Sequence, residues 1–185
     1  DLMTVSAHKI YGPKGVGALY LRDGIKMEPV IYGGGQEYGL RSGTQNVPLI
    51  AGFAKAVEIL AKWKAGNNNI EKIGELRDYL WTGIKKVSPA CGLNGPQGAR
   101  LPNNLNVHVP GIDGEILLIA FSEKGVCVSS GSACASRSQK TSHVITAIGG
   151  KEDGANLRIT LGRPTTKAEI DLFLGGFKAL LSRQV

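Results

Sequence analysis

Cysteine is scarce in this 185-residue chain: only Cys91, Cys127 and Cys134 occur. No C-x-x-C pair and no Cys/His ligand spacing exists, so no zinc or other metal site is expected. An odd number of widely separated thiols argues against a disulfide framework and for free cysteines in a reducing, cytoplasmic setting. Aromatic residues are also few, with five Tyr, four Phe and two Trp, and the net charge of +7 is not gathered into any run of five basic residues. Without a basic stripe or stacking side chains, direct nucleic-acid binding is not expected. No apolar run is long enough to cross a membrane, and no signal peptide is present. An initiator Met is missing too, and the first residues run straight into a strand-like segment. The expectation is a fragment, with any targeting signal out of view.

What is present suits a globular protein: 42% of residues are hydrophobic and 20% charged. Glycine is abundant, at 26 residues, as tight turns or close backbone approach to a ligand require. Leu2 to Ser6 and Gly17 to Leu21 read as short strands around the turn-rich HKIYGPKG. Residues 33–48 form a long Gly-rich polar loop, and loops of that length in a compact domain are usually functional. Pro48 opens a helix in which Leu49, Phe53, Val57 and Leu60 recur at helical spacing to Lys64. The Gly66–Asn69 break is the expected boundary, dividing the chain into 1–66 and 67–185. Beyond it a helix is predicted from Ile70 to Val87, a strand at Asn104–Val109, a helix from Asp113 to Phe121 and a strand at Val126–Ser129. A helix at Thr141–Ile148, a strand at Asn156–Leu161 and a final helix, Thr165 to Leu181, complete the pattern. In the last of these Thr165 or Thr166 can cap, with Glu169 reaching back. The second region thus reads as an α+β layer with an antiparallel sheet. The first, with two strands and one helix, cannot bury a core unaided.

Four stretches carry groups suited to chemistry. In Ser6-Ala7-His8-Lys9 a strand delivers a lysine into a glycine-rich turn; an amine meant for Schiff-base chemistry must shed its proton, which a partly buried, cation-rich site encourages. Ser6 and His8 suit a phosphate beside it. Around Cys134, in SSGSACAS, every neighbour is small or polar, which suits a reachable thiol rather than a core one. Cys127, after Val126 in a strand, reads as a core residue, and Cys91 has no assigned role. In LRITL, Arg158 lies on the face opposite Leu157 and Ile159, where its planar fork can take a carboxylate. Arg41-Ser42-Gly43-Thr44 gathers anion-binding donors around a glycine.

In order along the chain, SAHKIYGPKGVGALY, GGGQEYGLRSGTQNVP, LPNNLNV, SSGSACAS and LRITLGRPTT closely resemble the NifS/IscS-type cysteine desulfurases, which are class V, fold-type I pyridoxal-phosphate enzymes. The resemblance covers essentially the whole chain, from the cofactor lysine onward. It implies an α/β, fold-type I aminotransferase-like architecture, with 1–66 as the end of the large cofactor domain and 67–185 as the small C-terminal α+β domain. It implies that Lys9 holds pyridoxal 5'-phosphate, that Ser6 and His8 grip its phosphate, and that Thr44 reaches the phosphate in the neighbouring subunit of a homodimer. Cys134 matches the nucleophile that becomes a persulfide, and Arg158 the clamp on the substrate carboxylate. The implied reaction converts L-cysteine to L-alanine. Its sulfur passes to an iron–sulfur scaffold protein and sulfur-carrier proteins, for cluster assembly and tRNA thiolation.

The family's N-terminal half supplies an aspartate, a histidine and a glutamine around the cofactor ring, and none of the three is found in this chain. The chain alone is therefore expected to be inactive. Two alternatives share the motifs: a selenocysteine lyase, and an inactive fragment serving only as an interaction module.

Overall fold

Leu2–Ser6 (β1) and Gly17–Leu21 (β2) pair antiparallel, from Leu2 opposite Leu21 to Ser6 opposite Gly17. Between them the chain winds through a 3-10 turn, Ala7–Ile10, closed by Tyr11 in the left-handed region at φ 66°. Gly12 donates its N–H to the Ala7 carbonyl at 2.9 Å. A Cβ on Gly12 would lie 3.1 Å from that of Ala56, so the glycine lets the following helix sit close over the turn. That helix, α1, spans Val47–Ala65; Asn46 caps it by accepting from the Leu49 N–H, and Pro48 stands in its first turn.

The structure, a computed structural model, describes residues 1–66, 68–130 and 142–182. Its chain divides into two compact units, Asp1–Asn69 and Ile70–Val185. In the first, the buried residues are few: Ala7, Ala56 and the hydroxyl-bearing Ser42. Every residue of β1 is exposed.

The second unit is built on a four-stranded antiparallel sheet in the order β3-β4-β6-β5. Its strands are Gly92–Leu93 (β3), Asn104–Pro110 (β4), Ser129–Ser130 (β5) and Gly154–Thr160 (β6). Four helices accompany it: α2, Asn69–Val87; α3, Gly114–Ser122; α4, His143–Ala147; and α5, Lys167–Leu181. Strand alternation sends Leu105, Val107 and Val109 of β4 and Ala155, Leu157 and Ile159 of β6 into the core. Phe121 of α3 stacks on Phe173 of α5 with centroids 4.8 Å apart, and Phe177 completes the aromatic cluster. Leu80 and Ile84 of α2 are fully buried as well. The expected capping box is in place on α5: Thr166 accepts from the Glu169 N–H, and the Glu169 carboxylate accepts from the Thr166 N–H at 2.7 Å. Among the described residues, no helix is long and apolar enough to cross a membrane.

Three elements differ from the sequence-based expectation. The last strand before the cysteine segment is Ser129–Ser130 rather than Val126–Ser129, because residues 122–126 are held in the exit turn of α3. There Gly125 adopts φ 71°, and the Val126 N–H returns to the Phe121 carbonyl at 3.0 Å. Helix α4 ends at Ala147, where Gly149 at φ 73° and a Gly150-to-Ile145 backbone bond close it. Strand β3 was not expected; its two residues are strand only because β4 offers them partners.

Candidate functional site

Within the first unit, the turn after β1 gathers three of the expected groups. Ser6 ends β1, and His8 and Lys9 occupy the 3-10 turn, both exposed, while Ala7 between them is completely buried and anchors the turn. The side chains of Ser6, His8 and Lys9 make no hydrogen bond or ion pair with another described residue. The lysine is thus presented openly rather than in the partly buried setting expected of it.

The Gly-rich loop braces itself. Ser42 is buried and donates to the Gly34 carbonyl at 2.7 Å, the Gly43 N–H donates to Gln36 Oε1 at 3.1 Å, and Arg41 Nη1 reaches back to the Gly43 carbonyl at 3.2 Å. Gly43 sits at φ 104°, so only glycine fits there without strain. Thr44 is exposed at the end of this loop, its carbonyl accepting from Arg41 at 3.5 Å. One guanidinium nitrogen of Arg41, Nη1, is thus turned onto the loop's own backbone. Ser42, the loop's one buried side chain, was legible only as part of the RSGT cluster.

In the second unit, Arg158 projects from β6 on the face opposite the core, as the alternation of LRITL requires: Leu157 and Ile159 are buried and Arg158 is exposed. Its guanidinium Nη2 donates to Ser129 Oγ of β5 at 3.4 Å. Lys9 and Arg158 thus belong to different units. Cys134 lies outside the described residues.

Of the other two cysteines, Cys127 is the reverse of expectation, and Cys91, which was assigned no role, is buried. Cys91 is 2% exposed, and burial pushes its thiol up, partly offset by a hydrogen bond with Ser88 and the nearby charge of Lys85. Cys127 is exposed, because the exit turn of α3 displaces it from the strand that would have buried it. It lines a cleft of about 360 Å³ with Leu80, Ile159, Phe173 and Glu169.

The polar face around Arg158 was missed. Asn94, Asn106 and Asn156 are hydrogen-bonded across β4 and β6 beside the arginine. The alternating asparagines of Asn104-Leu105-Asn106 carried that signal in the sequence.

The family model for aminotransferase class-V matches residues 1–173. A protein named cysteine desulfurase IscS 1, from Archaeoglobus fulgidus, is 43% identical over 186 residues, which is 99% of this chain and 48% of the relative. A cysteine desulfurase IscS of Clostridium botulinum is 46% identical over 178 residues, 94% of this chain and 44% of its own. The solved structure of a NifS-like protein from Rickettsia africae superposes with a TM-score of 0.86 at 35% identity, covering 98% of this chain and 48% of the other. This chain therefore spans about half the length of the curated relatives it matches. The fold is that of the α/β, fold-type I aminotransferase-like proteins. A match that runs from the strand before Lys9 to the aromatic cluster of α5 leaves one assignment: the chain belongs to the aminotransferase class-V family.

Proposed function

We propose that this chain is the C-terminal part of a cysteine desulfurase, an enzyme that converts L-cysteine to L-alanine and leaves the sulfur as a persulfide on Cys134. Residues 1–66 are then the end of the cofactor domain and 67–185 the small domain. The observation that carries the reading is that the chain presents both an open Lys9 amine and an outward Arg158, each described within its own unit. The same chain is 43% identical to a protein named cysteine desulfurase.

The class-V family uses pyridoxal phosphate, and the donors after β1 fit that group. A lysine amine, an imidazole and a hydroxyl stand within four residues on one tight turn, none of them bonded to another described residue. Lys9 would hold the cofactor through its amine, and Ser6 and His8 would hydrogen-bond its phosphate, with Thr44 serving the phosphate of a second copy. When bound, pyridoxal phosphate supplies an electron sink for the substrate α-carbon. Lys9 Nζ then carries protons to and from that carbon as a general acid and base. Arg158 binds the substrate carboxylate through its planar fork. The Cys134 thiolate attacks the substrate sulfur; an S–S bond forms as the C–S bond breaks, the electron pair stays with the carbon fragment, and that fragment takes up a proton to become alanine. Sulfur carriers and an iron–sulfur scaffold are the acceptors such a persulfide would serve.

The test uses the full-length protein. Cys134→Ser should still bind the cofactor, seen as near-ultraviolet and visible absorbance, yet form no protein persulfide from L-cysteine by mass spectrometry. Undiminished persulfide formation in that variant would overturn the assignment.

A further inference from the structure

The face of the sheet that carries Arg158 is unlike an ordinary solvated strand surface. In register across it stand Asn104 opposite Thr160, Asn106 opposite Arg158, and His108 opposite Asn156, with Ser129 on the other side of Arg158. Those groups are amides, hydroxyls, one guanidinium and the His108 imidazole, whose Nε2 lies 3.0 Å from the Asp153 carboxylate. Cross-strand neighbours have Cβ atoms about 5 Å apart, so the Asn106 amide and the Arg158 side chain share one patch.

The orientation of the Asn106 amide follows from a chain of bonds that begins at a backbone carbonyl. Asn156 Nδ2 donates to the Lys151 carbonyl at 2.9 Å, and a carbonyl can only accept. The Asn156 Oδ1 must therefore be the atom that accepts from Asn94, at 2.6 Å, which makes the donating atom Asn94 Nδ2. The same Nδ2 lies 2.8 Å from Asn106, whose contacting atom must in turn be Oδ1. Asn94 itself is 8% exposed and is held by two further bonds. Its N–H donates to the Asn106 carbonyl at 2.9 Å, and its own carbonyl accepts from Arg100 Nη2 at 2.6 Å. With its oxygen committed to Asn94, Asn106 turns its Nδ2 away from that partner, and this nitrogen donates to no other described residue.

We infer that Asn106 is a second carboxylate-binding residue beside Arg158: its fixed amide presents N–H groups to the substrate anion that the guanidinium engages. Ser129, bonded to Arg158 Nη2, steadies the guanidinium from the other side. A planar fork plus a neighbouring amide places donors of two residues beside one carboxylate, and hydrogen bonds to a charged group are the strong ones. This rests on the reading of Arg158 as the carboxylate clamp.

Asn106→Asp is the discriminating variant. An aspartate keeps an oxygen for Asn94 and so preserves the asparagine chain, but it replaces the outward donor with a negative charge next to Arg158. In the full-length, cofactor-loaded protein, the KM for L-cysteine and the Kd for L-alanine, read by calorimetry, should both rise by about tenfold or more, with the melting temperature little changed. Asn106→Ala, which strands Asn94, should lower the melting temperature yet raise KM less. A purely structural asparagine reverses that order, with Asp mild and Ala severe in both readouts, and this result would overturn the inference. Arg158→Ala separates the two levels. If it leaves KM and Kd unchanged, the carboxylate-clamp reading itself fails; if it raises both while Asn106→Asp does not, only the role of Asn106 fails. Should Asn106→Asp not fold, Asn106→Ser supplies the test: its hydroxyl can accept from Asn94 but is too short to reach a ligand. An unchanged Kd for L-alanine in that variant overturns the proposal.

Discussion

In the second unit, the inward residues of β4 and β6 are all 7% exposed or less; in the first, Leu2, Met3 and Val5 of β1 are 54%, 57% and 40% exposed, and Tyr20 of β2 is 55%. Both regions spend apolar residues on their strands, yet only one of them covers those residues with its own helices. A two-stranded ribbon with no sheet neighbour is marginal in water, whereas four strands backed by an aromatic cluster are not. The difference separates a region whose stability is encoded locally from one whose apolar surface calls for a further partner.

The sharpest way to break this comparison is to separate the regions. Residues 70–185 expressed alone should unfold cooperatively on heating, followed by circular dichroism, while residues 1–69 alone should show no cooperative transition. A cooperative melt from the first region would remove the contrast. Within the second unit, Phe121→Ala deletes the ring that stacks on both Phe173 and Phe177 and should cost about 3–5 kcal/mol in chemical denaturation. Met3→Ala, at an exposed site, should change stability by less than about 0.5 kcal/mol.

A pH dependence sharpens the picture further. Burial raises the Cys91 thiol above the ordinary thiol range, so the unfolded chain loses that proton first. The stability this group contributes is complete below the unfolded thiol's pKa and is lost as pH climbs through the higher folded value, at up to about 1.4 kcal/mol per pH unit. Stability measured as pH rises above the ordinary thiol pKa of about 8.5 should therefore fall more steeply in the wild type than in Cys91→Ser. A local effect is expected at the start of α5. Thr166→Ala removes the capping hydroxyl and should cost about 1 kcal/mol, and Thr166→Ser should restore most of it.

Much of this was legible in the sequence where one residue's neighbours along the chain decide its fate. The Thr166–Glu169 box, the Pro48 helix start and the alternation that places Arg158 outward all follow from spacing alone. What depended on distant partners was not legible. Strand β3 exists because β4 pairs with it, and the burial of Cys91 depends on the folded chain around a Pro/Gly loop. Cys127 was misplaced because a left-handed glycine two positions earlier delays the strand. The asparagine chain around Asn106 spans 62 positions between Asn94 and Asn156, a separation no local pattern reports.

Among the described residues, both flanks of the second unit's sheet, β3 and β5, are two residues long. Exposed strand edges are where proteins template one another into fibres, and short edges give an incoming chain too little backbone to latch onto. The long strands β4 and β6 lie in the middle and pair with each other along seven residues. Handled apart from the rest of the chain, this unit should stay monodisperse at concentrations where the open ribbon of β1 and β2 would clump.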